Sequence, residues 1–195
     1  MQTTEESIIN AALELFSEKG YEATSIRDIA EKSNVKSATL YYYVKTKKDL
    51  LLNIMKNYLH QLIEVTEEKI RNSSSPKEKL KQLIRIHVKN HGKEKLAALV
   101  VDNEYRSLEG EDRKQVKELR SQYEQFWLEV LEEGKSQGTF HFRDSKITAF
   151  ALIGLCTGVV HWYREGGKYS LDEVAEQYVD YGLNIVGLVG EGVVK

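Results

Sequence analysis

Pro76 is the only proline in 195 residues, and its position fixes much of what the chain can fold into. Proline disrupts helix interiors and sheet ladders but suits the first turn of a helix. Here it follows NSSS, with Ser75 placed to cap and Glu78 at the third helical position, which predicts a helix start at residue 76. A chain this poor in proline is expected to be neither β-rich nor linker-rich. The remaining punctuation is also helical. In SIINAALELFSEKG, Ile8, Ala11, Ala12, Leu15 and Phe16 form one apolar face, and Gly20 supplies a left-handed stop. Ser25 and Asp28 have capping-box spacing for a short helix that buries Ile26, Ile29 and Ala30, and SNVK at 33–36 breaks it, with Asn34 suited to a left-handed turn.

A brief third helix follows, and Thr46 with Asp49 starts a fourth that carries Leu50, Leu51, Ile54, Met55, Tyr58 and Leu62 to about Arg71. Further helices are predicted at 76–91, 94–108, 111–137, 145–164 and 171–189, the last capped by Ser170 and Glu173. No alternating strand of useful length is visible. The chain reads as all-α, with about nine helices in two parts: residues 1–46, and 47–195 beginning with the long fourth helix.

The chemistry concentrates in KSATLYYYVKTKKDL at 36–50, which holds three consecutive tyrosines and four lysines. On a helix, Leu40 and Val44 share one face, and Tyr42 and Ala38 point the opposite way, flanked by Lys36, Thr39 and Tyr43. An outward aromatic among cations suits a DNA groove, where the ring meets thymine methyls or sugars and the hydroxyl meets phosphate. Tyr41 stands nearer the buried edge. Thr24, Ser25 and Lys47 lie at helix starts, where a phosphate is favoured. The formal charge of −2 and pI of about 6.2 exclude a protein that coats nucleic acid all over. Any contact must come from a local patch.

These residues resemble the DNA-binding region of the TetR family of bacterial transcriptional regulators. The likeness is carried by AALELFSEKGYEATSIRDIAEKSNVKSATLYYYVKTKKDLL at 11–51: a first helix ending F-x-x-x-G-Y, a T-S-x-x-x-I-A second helix, a T-L-Y third helix and a K-x-x-L start to the fourth. Asn34 stands where glycine is usual, Val44 where phenylalanine is usual, and Ala38 where glycine is frequent. The resemblance implies a three-helix helix-turn-helix domain followed by a helical ligand-binding and dimerisation domain. It implies that Thr24, Lys36, Ser37, Ala38, Thr39, Tyr41, Tyr42, Tyr43 and Lys47 face DNA. The stretch lacks arginine, asparagine and glutamine for bidentate base reading, so Lys36 and Ser37 are expected to make the few direct base contacts.

One such helix gives too little contact for specific binding, so a homodimer on a palindromic operator is expected. The seam is expected on the last two helices, at Gly154, Gly158, Tyr178, Gly182 and Ile185. Segments 103–108, 120–140 and 161–167 resemble the subset of the family that answers to acyl-coenzyme A effectors. That resemblance implies a site among Tyr105, Arg106, Arg120, Tyr123, Phe126, Trp127, Phe150 and Trp162, with Arg113 a further cation; a drug-like or other lipophile is the competing effector.

His87 and His91 are four apart, a spacing compatible with a metal, but no cysteine or H-E-x-x-H pattern accompanies them, so no metal and no cofactor is expected. No G-x-S-x-G, phosphate-cradling glycine loop or di-iron motif points to an enzyme or helical-bundle carrier. Cys156 is expected to be a buried hydrophobe and His161 a buried histidine. The apolar run at 149–160 is shorter than a membrane span, and nothing at MQTTEES reads as a signal, so a cytoplasmic protein is expected.

Overall fold

The computed structural model describes residues 3–188. The described residues are all-helical: α1 Thr4–Lys19, α2 Ile26–Lys32, α3 Ser37–Tyr43, α4 Lys47–Arg71, α5 Pro76–Lys93, α6 Lys95–Asn103, α7 Gly110–Ser136, α8 Ser145–Thr157, α9 Val159–Trp162 and α10 Leu171–Ile185. A 3-10 turn at Tyr105–Ser107 follows α6. Counting α8 and α9 as one interrupted helix gives nine. Two compact units emerge, one of the chain through His60 with Glu94–Arg120, the other of Gln61–Lys93 with Ser121 onward.

In the first unit, α1 packs on α2 and α6, and α2 on α3. Capping boxes start α1 (Thr3, Glu6) and α2 (Ser25, Asp28). The Asp28 carboxyl is held down to about 2, first by the Lys19 hydrogen bond and then by Ser25. Gly20 has the expected positive φ of 85°, but its ψ of 161° places it in an extended, glycine-only region rather than the left-handed helical one. Asn34 does adopt the left-handed turn, at φ 54°. A β-branched residue there is strained by about 1–2 kcal/mol. Asn34→Val should therefore lower stability in urea melts by that amount, and Asn34→Gly should not lower it. Val44 is buried beside a cleft of about 270 Å³ that Tyr43, Ile8, Ile9 and Ile54 also line.

In the second unit, α5 packs against α8, α9 and α10. It buries Leu80, Leu83, Ile84 and Val88. Gly182 permits a close approach of α10 to α5: a Cβ there would stand 2.3 Å from Ile84 Cδ1. Arg85 clasps Glu176 through two hydrogen bonds of 2.6 and 2.7 Å. Three expected helices stop early. The one predicted at 94–108 ends at Asn103 before the 3-10 turn, and the one at 145–164 is broken at Gly158. The one predicted at 171–189 ends at Ile185, with Val186 as its C-cap, and residue 189 itself lies outside the described residues. Ser145–Trp162 is, over 18 residues, apolar enough to cross a membrane by composition and length, contrary to the shorter run read from sequence. It is interrupted at Gly158 and buries Leu152, Cys156, Val159 and Val160.

Candidate functional site

α3 has only seven residues and no side-chain cap at Lys36. A helix this short is unstable alone, so tertiary burial of one face must hold it. Leu40 provides that burial at 0 % exposure, and Val44 completes it. The opposite face is in solvent. Tyr42 is 86 % exposed, Tyr41 and Tyr43 are also exposed, and so are Lys36, Ser37, Ala38 and Thr39. Tyr42 touches Tyr43 edge-on, with ring centroids 5.3 Å apart. Three aromatic rings on a water-facing helix lack a burial rationale, which marks the face as one that meets something.

The three residues at helix starts behave differently. Ser25 is exposed, but its hydroxyl already accepts the Asp28 N–H at 3.1 Å. Thr24 is buried and donates to the Gly20 carbonyl at 2.8 Å, which leaves its hydroxyl turned inward. Lys47 is half-buried and donates to the carbonyls of Tyr21 and Thr24, both at 2.8 Å. Arg27 and Lys45 are exposed cations beside these residues that the sequence reading passed over. The signal was available: Arg27 is the second residue of α2, two positions past the Ser25 cap and off the face that buries Ile29 and Ala30.

The expected ligand residues fall into separate groups. Tyr105 carries two guanidinium groups near its ring, Arg113 at 5.2 Å and Arg120 at 5.1 Å, and Arg120 also faces Asp102 at 3.5 Å. Arg106 is exposed. In the second unit, Tyr123 and Trp127 are buried around an imidazole pair that the sequence reading left unassigned. His87 and His91 stack with centroids 3.9 Å apart. His87 Nδ1 lies 3.0 Å from the Tyr123 hydroxyl and Nε2 lies 2.9 Å from the Thr157 hydroxyl. His91 Nδ1 lies 3.0 Å from the His87 carbonyl, so that nitrogen carries the proton. Burial drives His91 down to about 4 and His87 well below its ordinary value, the latter with a contribution from His91. Burial also raises the Tyr123 phenol and pushes the Cys156 thiol up to about 12, so Cys156 is an inert buried thiol. Among the described residues no three histidine, cysteine or carboxylate side chains gather for a metal.

Phe126 is half-buried with its ring 6.5 Å from Tyr123. Phe150 and Trp162 stand instead at open grooves. Phe150 borders one of about 200 Å³ between α7 and α8. Trp162 borders one of about 550 Å³ along α10, where its indole nitrogen donates to the Tyr178 hydroxyl at 3.2 Å. His161 is exposed, not buried, because α9 ends one residue later and turns its surface outward.

Of the expected seam residues, Gly154 is exposed with open space around it, continuing a stripe of Ile147 (71 % exposed), Phe150 and Ala151 on α8. Tyr178, Tyr181 and Ile185 form a similar i, i+3, i+7 stripe on α10. Gly182 is committed to Ile84 within its own unit, and Gly158 is the break between α8 and α9.

Residues 8–54 match the description "Bacterial regulatory proteins, tetR family", and residues 73–186 match "Tetracyclin repressor-like, C-terminal domain". The chain is 27% identical over 179 residues to the HTH-type transcriptional repressor KstR2 of Rhodococcus jostii (strain RHA1), covering 91% of this chain and 88% of that one. It is 30% identical over 166 residues to the fatty acid metabolism regulator protein of Bacillus subtilis (strain 168), covering 84% and 86%. A crystal structure of AibR in complex with isovaleryl coenzyme A and operator DNA shares the fold, with a TM-score of 0.81 at 23% identity over 92% of this chain and 97% of that one.

Proposed function

Because the chain belongs to the TetR family of bacterial regulatory proteins, we propose that it is a cytoplasmic, homodimeric repressor that reads a palindromic operator and is released by a lipophilic effector. Residues 1–46 act as the reading head and 47–195 as the effector and dimerisation part. The observation that carries this reading is the exposed aromatic face of α3 backed by buried Leu40. The helix enters the major groove with Lys36 and Ser37 on base edges. Ala38 allows close approach, and Thr39, Tyr41, Tyr42 and Tyr43 touch methyls, sugars and phosphates. Dimerisation is supported by the water-facing apolar stripes on α8 and α10, which a lone soluble subunit has little reason to expose.

A fatty acyl-coenzyme A effector is supported by the likeness to the fatty acid metabolism regulator of Bacillus subtilis and to AibR, which holds isovaleryl coenzyme A. Tyr123, Phe126 and Trp127, all in the second unit, suit an apolar chain. A mobility-shift assay on the DNA flanking its own gene, titrated with long-chain acyl-coenzyme A and with unrelated lipophiles, tests the effector. Release by the thioester at micromolar concentration is the expected result. Release only by the lipophiles assigns a drug-like effector instead, and no shifted duplex at all contradicts the regulator itself.

A further inference from the structure

The backbone of Tyr21 is gripped from both polar sides by opposite charges. On its N–H side, Glu104 Oε1 accepts at 3.2 Å, while Oε2 accepts the Ser107 hydroxyl at 2.8 Å. On its carbonyl side stands Lys47 Nζ at 2.8 Å, which also holds the Thr24 carbonyl at 2.8 Å. The Lys47 ammonium lies 4.1 Å from the centroid of the Tyr21 ring, and that ring is buried edge-on to Phe16 with centroids 5.4 Å apart. Glu104 is 8 % exposed, and both hydrogen bonds to its carboxylate come from neutral groups. A buried carboxylate with a neutral donor at each oxygen is costly and calls for a reason beyond packing.

The position of this grip supplies one. Residues 20–25 are the corner between α1 and α2, and Ser25 at its end is the N-cap of α2. Because α2 packs on α3, the angle at which the corner delivers α2 sets where α3 aims its exposed face. Of the two successive peptide groups that flank the Tyr21 Cα, the first donates its N–H to an anion and the second offers its carbonyl to a cation, so each is held and the corner resists rotation about that Cα. Two of the three protons of the Lys47 ammonium are consumed in this way.

We propose that Lys47 and Glu104 are positioning residues for operator recognition, which clamp the Tyr21 corner and so fix the aim of α3, with the Lys47 ammonium working inside the chain instead of on a phosphate. The proposal rests on the reading of α3 as the operator-contacting helix. It separates from a phosphate contact by salt dependence. Each protein cation on a phosphate steepens the fall of affinity with salt by about one unit of log–log slope, whereas a clamp leaves the slope alone. It separates from mere structural support by specificity, since a folded but misaimed head keeps its sequence-independent affinity.

The test uses the full-length protein, a duplex selected from a random-sequence pool by the wild type, and a scrambled duplex of equal length. Lys47→Gln and Glu104→Ala should each lose about tenfold or more on the selected duplex. They should bind the scrambled duplex like the wild type, with an unchanged salt slope and a two-state melt above the assay temperature. Lys47→Arg, which still donates to two carbonyls, and Glu104→Gln, which still accepts from Tyr21 and can donate to Ser107, should recover most of the loss. Should Glu104→Ala not fold, Lys47→Gln set against Lys47→Arg still carries the test, through the ratio of selected to scrambled affinity. A shallower slope for Lys47→Gln with equal losses on both duplexes would put the ammonium on phosphate and overturn the proposal. Wild-type discrimination by Lys47→Gln, or by a folded Glu104→Ala, overturns it as well. Failure of the wild type to enrich any duplex is a different outcome: it removes the operator reading itself, and the clamp with it.

Discussion

Replacing Tyr42 with alanine is expected to cost about 1–3 kcal/mol of operator affinity in each subunit, the range for loss of one good groove contact. A dimer makes the contact twice, so the measured affinity should fall by at least about tenfold and by far more at the upper end. Folding should not suffer. Tyr42 is 86 % exposed, and its described ring contact is the edge of Tyr43. Exposed positions of this kind change stability by about 0.5 kcal/mol or less. Fluorescence anisotropy against a selected duplex, with a thermal melt and light scattering on the same sample, separates the two effects. Normal affinity in Tyr42→Ala would remove this ring from the interface.

Acid should destabilise the protein in a window that carboxylates do not explain. His91 is held at about 4 in the folded chain against its ordinary 6.5, and His87 is lowered as well. The unfolded chain therefore binds protons at these sites first. Stability contributed by the neutral pair is complete above 6.5 and is lost as the pH falls from there toward 4. At about 1.4 kcal/mol per pH unit, His91 alone accounts for about 3 kcal/mol across that interval. The lowered carboxyls of Asp28, Glu78, Glu173 and Glu176 start to titrate only from their ordinary values near 4, so they act at the acid end. Urea melts between pH 7 and 5 should show unfolding energies falling with a slope approaching two protons, reduced toward one in His91→Gln. A flat profile in the wild type would mean the imidazoles are hydrated or charged in the folded protein.

Local signals made most of the helical frame legible. Pro76, the Ser25–Asp28 and Ser170–Glu173 boxes and the left-handed Asn34 are decided by neighbours within four residues, and the structure places each where the spacing put it. The Thr3–Glu6 box carried the same signal and went unread. What the sequence hid depends on partners far along the chain. The carbonyls that take up the Lys47 ammonium belong to residues 26 and 23 positions away, and the Tyr21 amide meets a carboxylate 83 positions away. Helical spacing placed Thr24 and Lys47 at helix starts, but it could not reveal that the fold itself would satisfy them. The aromatic candidates divide for a similar reason. Periodicity groups Tyr123 with Trp127, yet only packing shows them buried around His87 while Phe150 and Trp162 face solvent.

Crosslinking from position 42 tests the central claim most directly. A benzophenone amino acid installed in place of Tyr42, and separately in place of the exposed Glu67 on α4 as a control, would be irradiated with a wild-type-selected duplex. Insertion of α3 into the major groove predicts adducts from position 42 in two symmetric half-sites, on bases lining that groove, and few from position 67. Equal labelling from both positions, or none from position 42 on a duplex that is demonstrably bound, would contradict it.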